Sequence, residues 1–204
     1  MNLLSTRPAL RRSLAAAATV GAALLAWAPL AQAALREGDA APAFSAEAAL
    51  DGKSFRYVLA QALKQGPVVV YFYPSAYTNG CNIQAHTFAT RLEEFQSAGA
   101  TVVGVSLDSV ERLRKFSADP DYCAGKLAVA SDADGSIAKA FELNVREAAP
   151  GRKDTQGAEI NHGFAERTTF IVRPDGRIAA TVGGVSPVEN VDQALAAVRR
   201  LAAH

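Results

Sequence analysis

Apolar and polar positions alternate along this chain in blocks whose periods change from one segment to the next. Residues 68–73 (Val-Val-Val-Tyr-Phe-Tyr) are apolar throughout, which suits a central strand covered on both faces. From 81 to 97 the apolar side chains recur at Cys81, Ala85, Phe88, Leu92 and Phe95, one face of a single helix closed by Gly99. Residues 101–106 (Thr-Val-Val-Gly-Val-Ser) read as a second strand. Asp108 with Glu111 forms a capping box for a helix to about Ala118, and Pro120 stops it. A strand over 126–130 and a helix over 134–143, with Ile137, Ala138 and Phe141 turned inward, complete the alternation.

The flanks are less regular. Residues 34–55 are polar and turn-rich and predict short strands or a hairpin around Asp51-Gly52. Residues 57–63 fit a short helix ended by Gly66-Pro67. Residues 144–165 carry Pro150, Gly151, Gly157 and Gly163 and read as a long loop, a length that is often functional. Strands at 168–172 and 177–182 are joined by Pro174-Asp175-Gly176. Ser186-Pro187-Val188-Glu189 combines an N-cap, a proline at the first helical position and a capping glutamate, and opens a last helix ending near Leu201. Strands alternating with helices imply an α/β domain with a mostly parallel sheet, helices on both faces and a terminal antiparallel hairpin. That is the layout of an elaborated thioredoxin-like fold with a mixed central sheet.

The first 33 residues stand apart from this pattern. Arg7, Arg11 and Arg12 precede an uncharged Ala- and Leu-rich stretch, and Ala31-Gln32-Ala33 is an A-x-A cleavage site. Together they read as a secretory signal peptide, 1–33, and predict a periplasmic protein; a single membrane anchor and a twin-arginine signal are the alternatives. Residues 34–204 then form one domain, with 18 Lys+Arg against 20 Asp+Glu and a formal charge of −2. No basic block stands out, so nucleic-acid binding has no support. No later apolar run is long enough to span a bilayer, so no membrane contact is expected after cleavage. Two cysteines and three histidines show no zinc spacing, and neither a C-x-x-C, a P-loop nor a G-x-G-x-x-G occurs, so no metal or cofactor is expected.

The candidate chemistry gathers at Cys81, placed where a buried strand hands over to a helix. The helix dipole and the unpaired first-turn N–H groups both favour a thiolate there. The residues before it, Pro74-x-x-x-Thr78-x-x-Cys81, resemble the P-x-x-x-T-x-x-C motif of peroxiredoxins. The stretches Val70-Tyr71-Phe72-Tyr73-Pro74, Gly99 to Ser106 and Arg167 to Gly176 are similar to the bacterioferritin comigratory (PrxQ-type) branch, and the likeness runs from about Glu37 to the C-terminus. The resemblance implies a cofactor-free thiol peroxidase acting on hydrogen peroxide and organic hydroperoxides. Cys81 would be the peroxidatic nucleophile and Thr78 would hold the peroxide oxygen. Pro74 would shield the thiolate from water, and Arg167 would set a positive charge beside sulfur and substrate. Gln84 would orient that arginine or the start of the helix, without taking part in the chemistry. A thioredoxin-like thiol reductant would restore the enzyme, as a monomer or weak homodimer.

Acidity alone contributes little to such a site. An ordinary thiol with pKa ~8.5 is about 3% ionised at pH 7, so full ionisation gains only about 30-fold. A donor placed at developing charge is typically worth about 100- to 1000-fold. Thr78 and Arg167 are therefore expected to matter more for orienting and polarising peroxide than for ionising Cys81.

Turnover needs a second thiol. In one group of PrxQ-type relatives it lies five residues after the first; here that position is His86, read as a surface or packing residue. The resemblance points instead to Cys123 as the resolving cysteine, forming a Cys81–Cys123 bridge after local unwinding, since a disulfide needs Cα atoms within about 7 Å. Other readings stay open: an inert Cys123 with an outside thiol, or a permanent structural disulfide. His162 is expected to be a solvated loop residue, with a place at the mouth of the site as the alternative. A periplasmic thiol–disulfide carrier and a redox-sensing binding module on the same fold are the rival functions.

Overall fold

A computed structural model describes residues 34–203 of the chain. The segment read as an export signal, 1–33, lies outside the described residues. The strands are β1 (Ser45–Leu50), β2 (Lys53–Val58), β3 (Val68–Phe72), β4 (Thr101–Ser106), β5 (Ala128–Ser131), β6 (Val145–Arg146), β7 (Phe164–Ala165), β8 (Thr168–Val172) and β9 (Ile178–Gly183). The helices are α1 (Leu59–Ala62), α2 (Asn79–Thr90), α3 (Leu92–Ser97), α4 (Val110–Ala118), α5 (Ser136–Ala140) and α6 (Pro187–Ala202). Seven strands form one sheet in the order β2-β1-β5-β4-β3-β8-β9, while β6 and β7 make a separate ribbon.

The apolar run predicted as a central strand is β3, and every residue in it is buried. Its two neighbours differ in direction: β4 runs parallel to it and β8 antiparallel. The parallel arrangement covers only β3, β4 and β5; β1 and β2 on one side and β8 and β9 on the other are antiparallel. The sheet is thus mixed rather than mostly parallel. The cause is the β1–β2 hairpin, which returns to pair with β5 instead of entering the crossover series. Its turn places Asp51 and Gly52 both at positive φ (50° and 74°), the geometry that matches strand twist in a two-residue hairpin.

Alternation along β3 divides the core in two. Val69 and Tyr71 face a layer built with Phe88 of α2, Phe95 of α3, Phe116 of α4 and Leu195 of α6. Val68, Val70 and Phe72 face the opposite layer, with Leu59 of α1, Ala138 of α5 and Phe141. Burying one such aromatic side chain stabilises the fold by roughly 1.5–3 kcal/mol, so both layers contribute materially. The Tyr71 ring lies over Gly104, its register partner on β4. A Cβ there would come within 2.5 Å of that ring, so the glycine is what lets the tyrosine lie flat between sheet and α2.

Several predicted boundaries move. The expected helix over 81–97 is two: it breaks at Arg91 (φ −103°, ψ 9°). Thr87 and Thr90 donate their hydroxyls to the carbonyls of Ile83 and His86, competing with the backbone ladder and bending the helix near its end. The helix expected over 57–63 shrinks to α1 because Tyr57 and Val58 pair with β1. Ser109, not Asp108, caps α4 and accepts from the Arg112 N–H. The long loop at 144–165 is tethered at both ends by β6 pairing with β7, and inside by a bridge between Lys153 and Glu159.

Candidate active site

The parallel strands β3, β4 and β5 all end toward the same side, and in open α/β sheets that is where sites form. After β3 the chain runs through Tyr73 and Pro74 into a tight loop and then into α2. Thr78 is the N-cap residue of α2, extended at φ −110°, and its hydroxyl donates to the Ser75 carbonyl at 2.9 Å. Cys81 follows in the first turn and is 2% exposed. It touches a cavity of about 740 Å3 that Pro74, Thr78 and Arg167 also line. The 146–155 segment supplies the far wall through Arg146, Arg152 and Lys153, and Phe164 lies beneath Arg152, whose guanidinium is 5.2 Å from its ring centroid.

Arg167 enters from the short connection between β7 and β8. Its Nη2 donates to Cys81 Sγ at 3.4 Å. Its Nη1 donates to Gln84 Oε1, so Gln84 does hold the arginine. Four of the five residues predicted for the site, Cys81, Thr78, Pro74 and Arg167, therefore surround one cavity. The arrangement gives a thiol on a helix N-terminus, a fixed cation on its sulfur and a threonine lining the same cavity.

The fifth, Cys123, does not line the cavity. It lies between α4 and β5, fully buried in the same hydrophobic layer as Cys81. Both are free thiols. Burial pushes the Cys123 thiol up, and the neighbouring Asp119 adds to it. Tyr71 belongs to the same layer: burial raises its phenol well above the ordinary range, and the two sulfurs push the same way. The residues flanking each cysteine segment are in unusual conformations. Tyr77 (φ 60°) and Ala124 (φ 53°) both occupy the left-handed region without being glycine. His86, exposed as expected, has Nδ1 3.0 Å from the Asp121 carbonyl oxygen and so ties α2 to the turn holding Cys123.

What sequence reasoning missed is the support of the Ser75–Thr78 loop. Asp108, at the end of β4, is buried and accepts five hydrogen bonds. Oδ1 receives Ser75 Oγ (3.0 Å), Arg112 Nε (2.8 Å) and His162 Nε2 (2.9 Å). Oδ2 receives the Ala76 N–H and Ser106 Oγ, each at 2.7 Å. Arg112 continues outward to the Ala76 carbonyl and to Asp154, and lies over the Tyr77 ring. Thr155 donates both its N–H and its hydroxyl to the Tyr77 carbonyl. The 146–163 segment is thus pinned onto the cysteine loop at Arg112, Tyr77 and Asp108. The signal available in the sequence was position: Asp108 follows β4 just as Pro74 follows β3.

His162 is accordingly neither solvated nor at the mouth, but locked beneath the loop. Its Nδ1 is 2.8 Å from the Gly163 carbonyl and its Nε2 faces the Asp108 carboxylate. Both partners only accept, so both bonds form together only when the ring is an imidazolium. Burial alone would lower the His162 pKa, but the Asp108 hydrogen bond and charge outweigh it and the net shift is upward. Burial likewise works to raise Asp108, and its bonds to His162, Ala76 and Ser106 hold it below the usual carboxylate range. A histidine raised on folding contributes stability that is complete below its unfolded pKa and is lost as pH rises through the folded one. We therefore expect His162→Gln to lower the melting temperature most at about pH 5.5, near or below the ordinary histidine pKa. The difference should shrink steadily at alkaline pH; a pH-independent difference in thermal melts would show that the ring acts only by packing.

Comparison with known proteins places the chain in one family. The sequence profile of the AhpC/TSA family matches residues 37–181. Peroxiredoxin Bcp of Xanthomonas campestris pv. campestris is 32% identical over 132 residues, covering 65% of this chain and 76% of that protein. Peroxiredoxin Bcp of Escherichia coli K12 is 31% identical over 144 residues, covering 71% and 83%. The crystal structure of peroxidoxin BcpB from Mycobacterium tuberculosis superposes with a TM-score of 0.67 at 28% identity, over 82% of this chain and 98% of that one. A thiol on a helix start beside an arginine, on this sheet and in this sequence family, has one reading: the chain belongs to the AhpC/TSA family and is a peroxiredoxin, a thiol-dependent peroxidase.

Proposed function

We propose that Cys81 is the peroxidatic nucleophile of a two-cysteine cycle that reduces hydrogen peroxide and organic hydroperoxides. The observation that carries it is the Arg167 guanidinium donating to Cys81 Sγ at the wall of the cavity. The Cys81 thiolate attacks one peroxide oxygen and the O–O bond breaks. The sulfur keeps that oxygen as a sulfenic acid, and the leaving hydroxide or alkoxide takes up a proton. Arg167 stabilises the charge growing on the leaving oxygen, Thr78 orients the peroxide through its hydroxyl, and Pro74 keeps water off the sulfur. Cys123 then condenses with the sulfenic acid, releasing water and forming a disulfide that a thioredoxin-like dithiol reduces. Since Cys123 is buried away from the cavity and its thiol is held protonated, this second step requires both segments to loosen first. The basic, uncharged-core and A-x-A pattern of residues 1–33 supports a periplasmic setting, and the enzyme is expected to work as a monomer or weak homodimer.

Intact-mass analysis after one equivalent of hydrogen peroxide tests the cycle. Wild type should lose two hydrogens, as an internal disulfide. Cys123→Ser should gain one oxygen, as a trapped sulfenic acid on Cys81. A Cys81 that stays reduced in both proteins would sink the assignment.

A further inference from the structure

We propose that Asn190 on α6 is a positioning residue for Arg167, fixing through Gln84 which way the arginine's partner points. The apolar stripe of α6 includes Val191, Ala194, Leu195 and Val198, and Asn190 lies in line with Ala194 and Val198, fully buried. A buried amide on a hydrophobic stripe must have its polarity settled by its surroundings. Here a backbone group settles it. Asn190 Nδ2 donates to the Val182 carbonyl on β9 at 3.0 Å, and a carbonyl can only accept. Asn190 Oδ1 is thereby turned inward, where it accepts from Thr169 Oγ1 at 2.5 Å and from Gln84 Nε2 at 2.9 Å.

The consequence passes along the chain of amides. With its nitrogen committed to Asn190, Gln84, itself fully buried, presents Oε1 to Arg167 Nη1. A reversed Gln84 would set its NH2 against the guanidinium and its oxygen against Asn190 Oδ1, two mismatches at once. The other end of the same guanidinium, Nη2, meets Cys81 Sγ. One carbonyl of β9 thus dictates the orientation of two side-chain amides and, through them, the setting of the cation at the reacting sulfur. Gly80 shows how little slack there is: a Cβ on it would lie 3.1 Å from Arg167 Nη2.

The proposal rests on Arg167 acting at Cys81, as above, and its test separates the two. Stopped-flow measures the second-order rate of Cys81 oxidation by hydrogen peroxide in the full chain. Asn190→Ala frees Gln84 to turn over and should slow this step about tenfold, the scale of one misdirected hydrogen bond to a charged group. Adding Gln84→Glu to Asn190→Ala should restore the rate to within about threefold, because a carboxylate shows an acceptor on either face and needs no instruction. Asn190→Asp, which keeps an oxygen acceptor for Gln84 Nε2 in either protonation state, should stay within about threefold of wild type. A wild-type rate in Asn190→Ala, a loss that Gln84→Glu leaves in place, or a loss in Asn190→Asp as large as that in Asn190→Ala each overturns the proposal. If Asn190→Ala fails to fold, Asn190→Leu, which removes the same acceptor at a similar volume, takes its place with the same expectations. Full activity in Arg167→Ala would instead remove the reading of the arginine on which it rests.

Discussion

Arg167→Ala is expected to lower the rate of Cys81 oxidation by hydrogen peroxide about 100- to 1000-fold, the usual worth of one preorganised donor at developing charge. The guanidinium is held on one side by Gln84 and on the other meets the sulfur at 3.4 Å, so it need not reorganise as the O–O bond breaks. Ionisation can account for only a small part of such a loss, because complete deprotonation of an ordinary thiol gains about 30-fold at pH 7. The two contributions separate with pH. At about pH 10, where an ordinary thiol is ionised in any case, most of the deficit should persist if the arginine works on the leaving oxygen. A variant that recovers wild-type rates at high pH would reduce Arg167 to a helper of ionisation, and one near wild type at pH 7 would remove it from the mechanism.

Asp108→Ala is expected to cost about 3–5 kcal/mol of stability, the usual penalty for removing one partner of a buried ionic cluster. The residue has no exposed side-chain surface and satisfies Ser75, Ser106, the Ala76 N–H, Arg112 and His162 together. Its loss leaves a guanidinium, an imidazole and a backbone donor to find other partners in a closed space. The midpoint of urea denaturation reports the size of the loss. A depressed carboxylate contributes stability that is present above its unfolded pKa and lost as pH falls through its folded one, so the gap between wild type and variant should narrow in acid. A gap below about 1 kcal/mol at pH 7 would mean that solvent or rearranged neighbours replace the carboxylate.

These two residues differ in how visible they were. Arg167 was legible because the residues around it resemble a family motif, and Cys81, Thr78 and Pro74 because they crowd one strand–helix junction. The strand and helix order was legible from periodicity alone, since β3, β4 and α6 each keep one period and have clear ends. Asp108 was misread because an acid before a helix fits an N-cap as well as it fits a buried hub, and only the approach of Arg112 and His162 from elsewhere decides between them. His162 belonged to a loop with no period at all, so nothing local said that it would be enclosed. The break at Arg91 went unseen because threonine side chains bonding back to carbonyls leave no glycine or proline to mark it. Asn190 did leave a trace, as a polar residue on an apolar stripe, but its partners come from three other elements, α2, β8 and β9.

Tyr77 and Ala124 have a bearing on time as well as on shape. Each holds a left-handed backbone that a side chain makes unfavourable by roughly 1–3 kcal/mol, and each sits beside one of the two cysteine segments. Tyr77 is kept there by edge contacts with Phe116 and Tyr122 and by the carbonyl bonds to Thr155. Release of either segment lets its torsion relax, so the excursion toward the proposed disulfide starts from a raised ground state. The folded enzyme is in this sense cocked: a left-handed torsion lies in each of the two stretches that the proposed disulfide would draw together, while none lies in β3. In the proposed cycle, the time an oxidised Cys81 waits for Cys123 would follow those two torsions and the aromatic contacts of Tyr77, not the strength of the sheet.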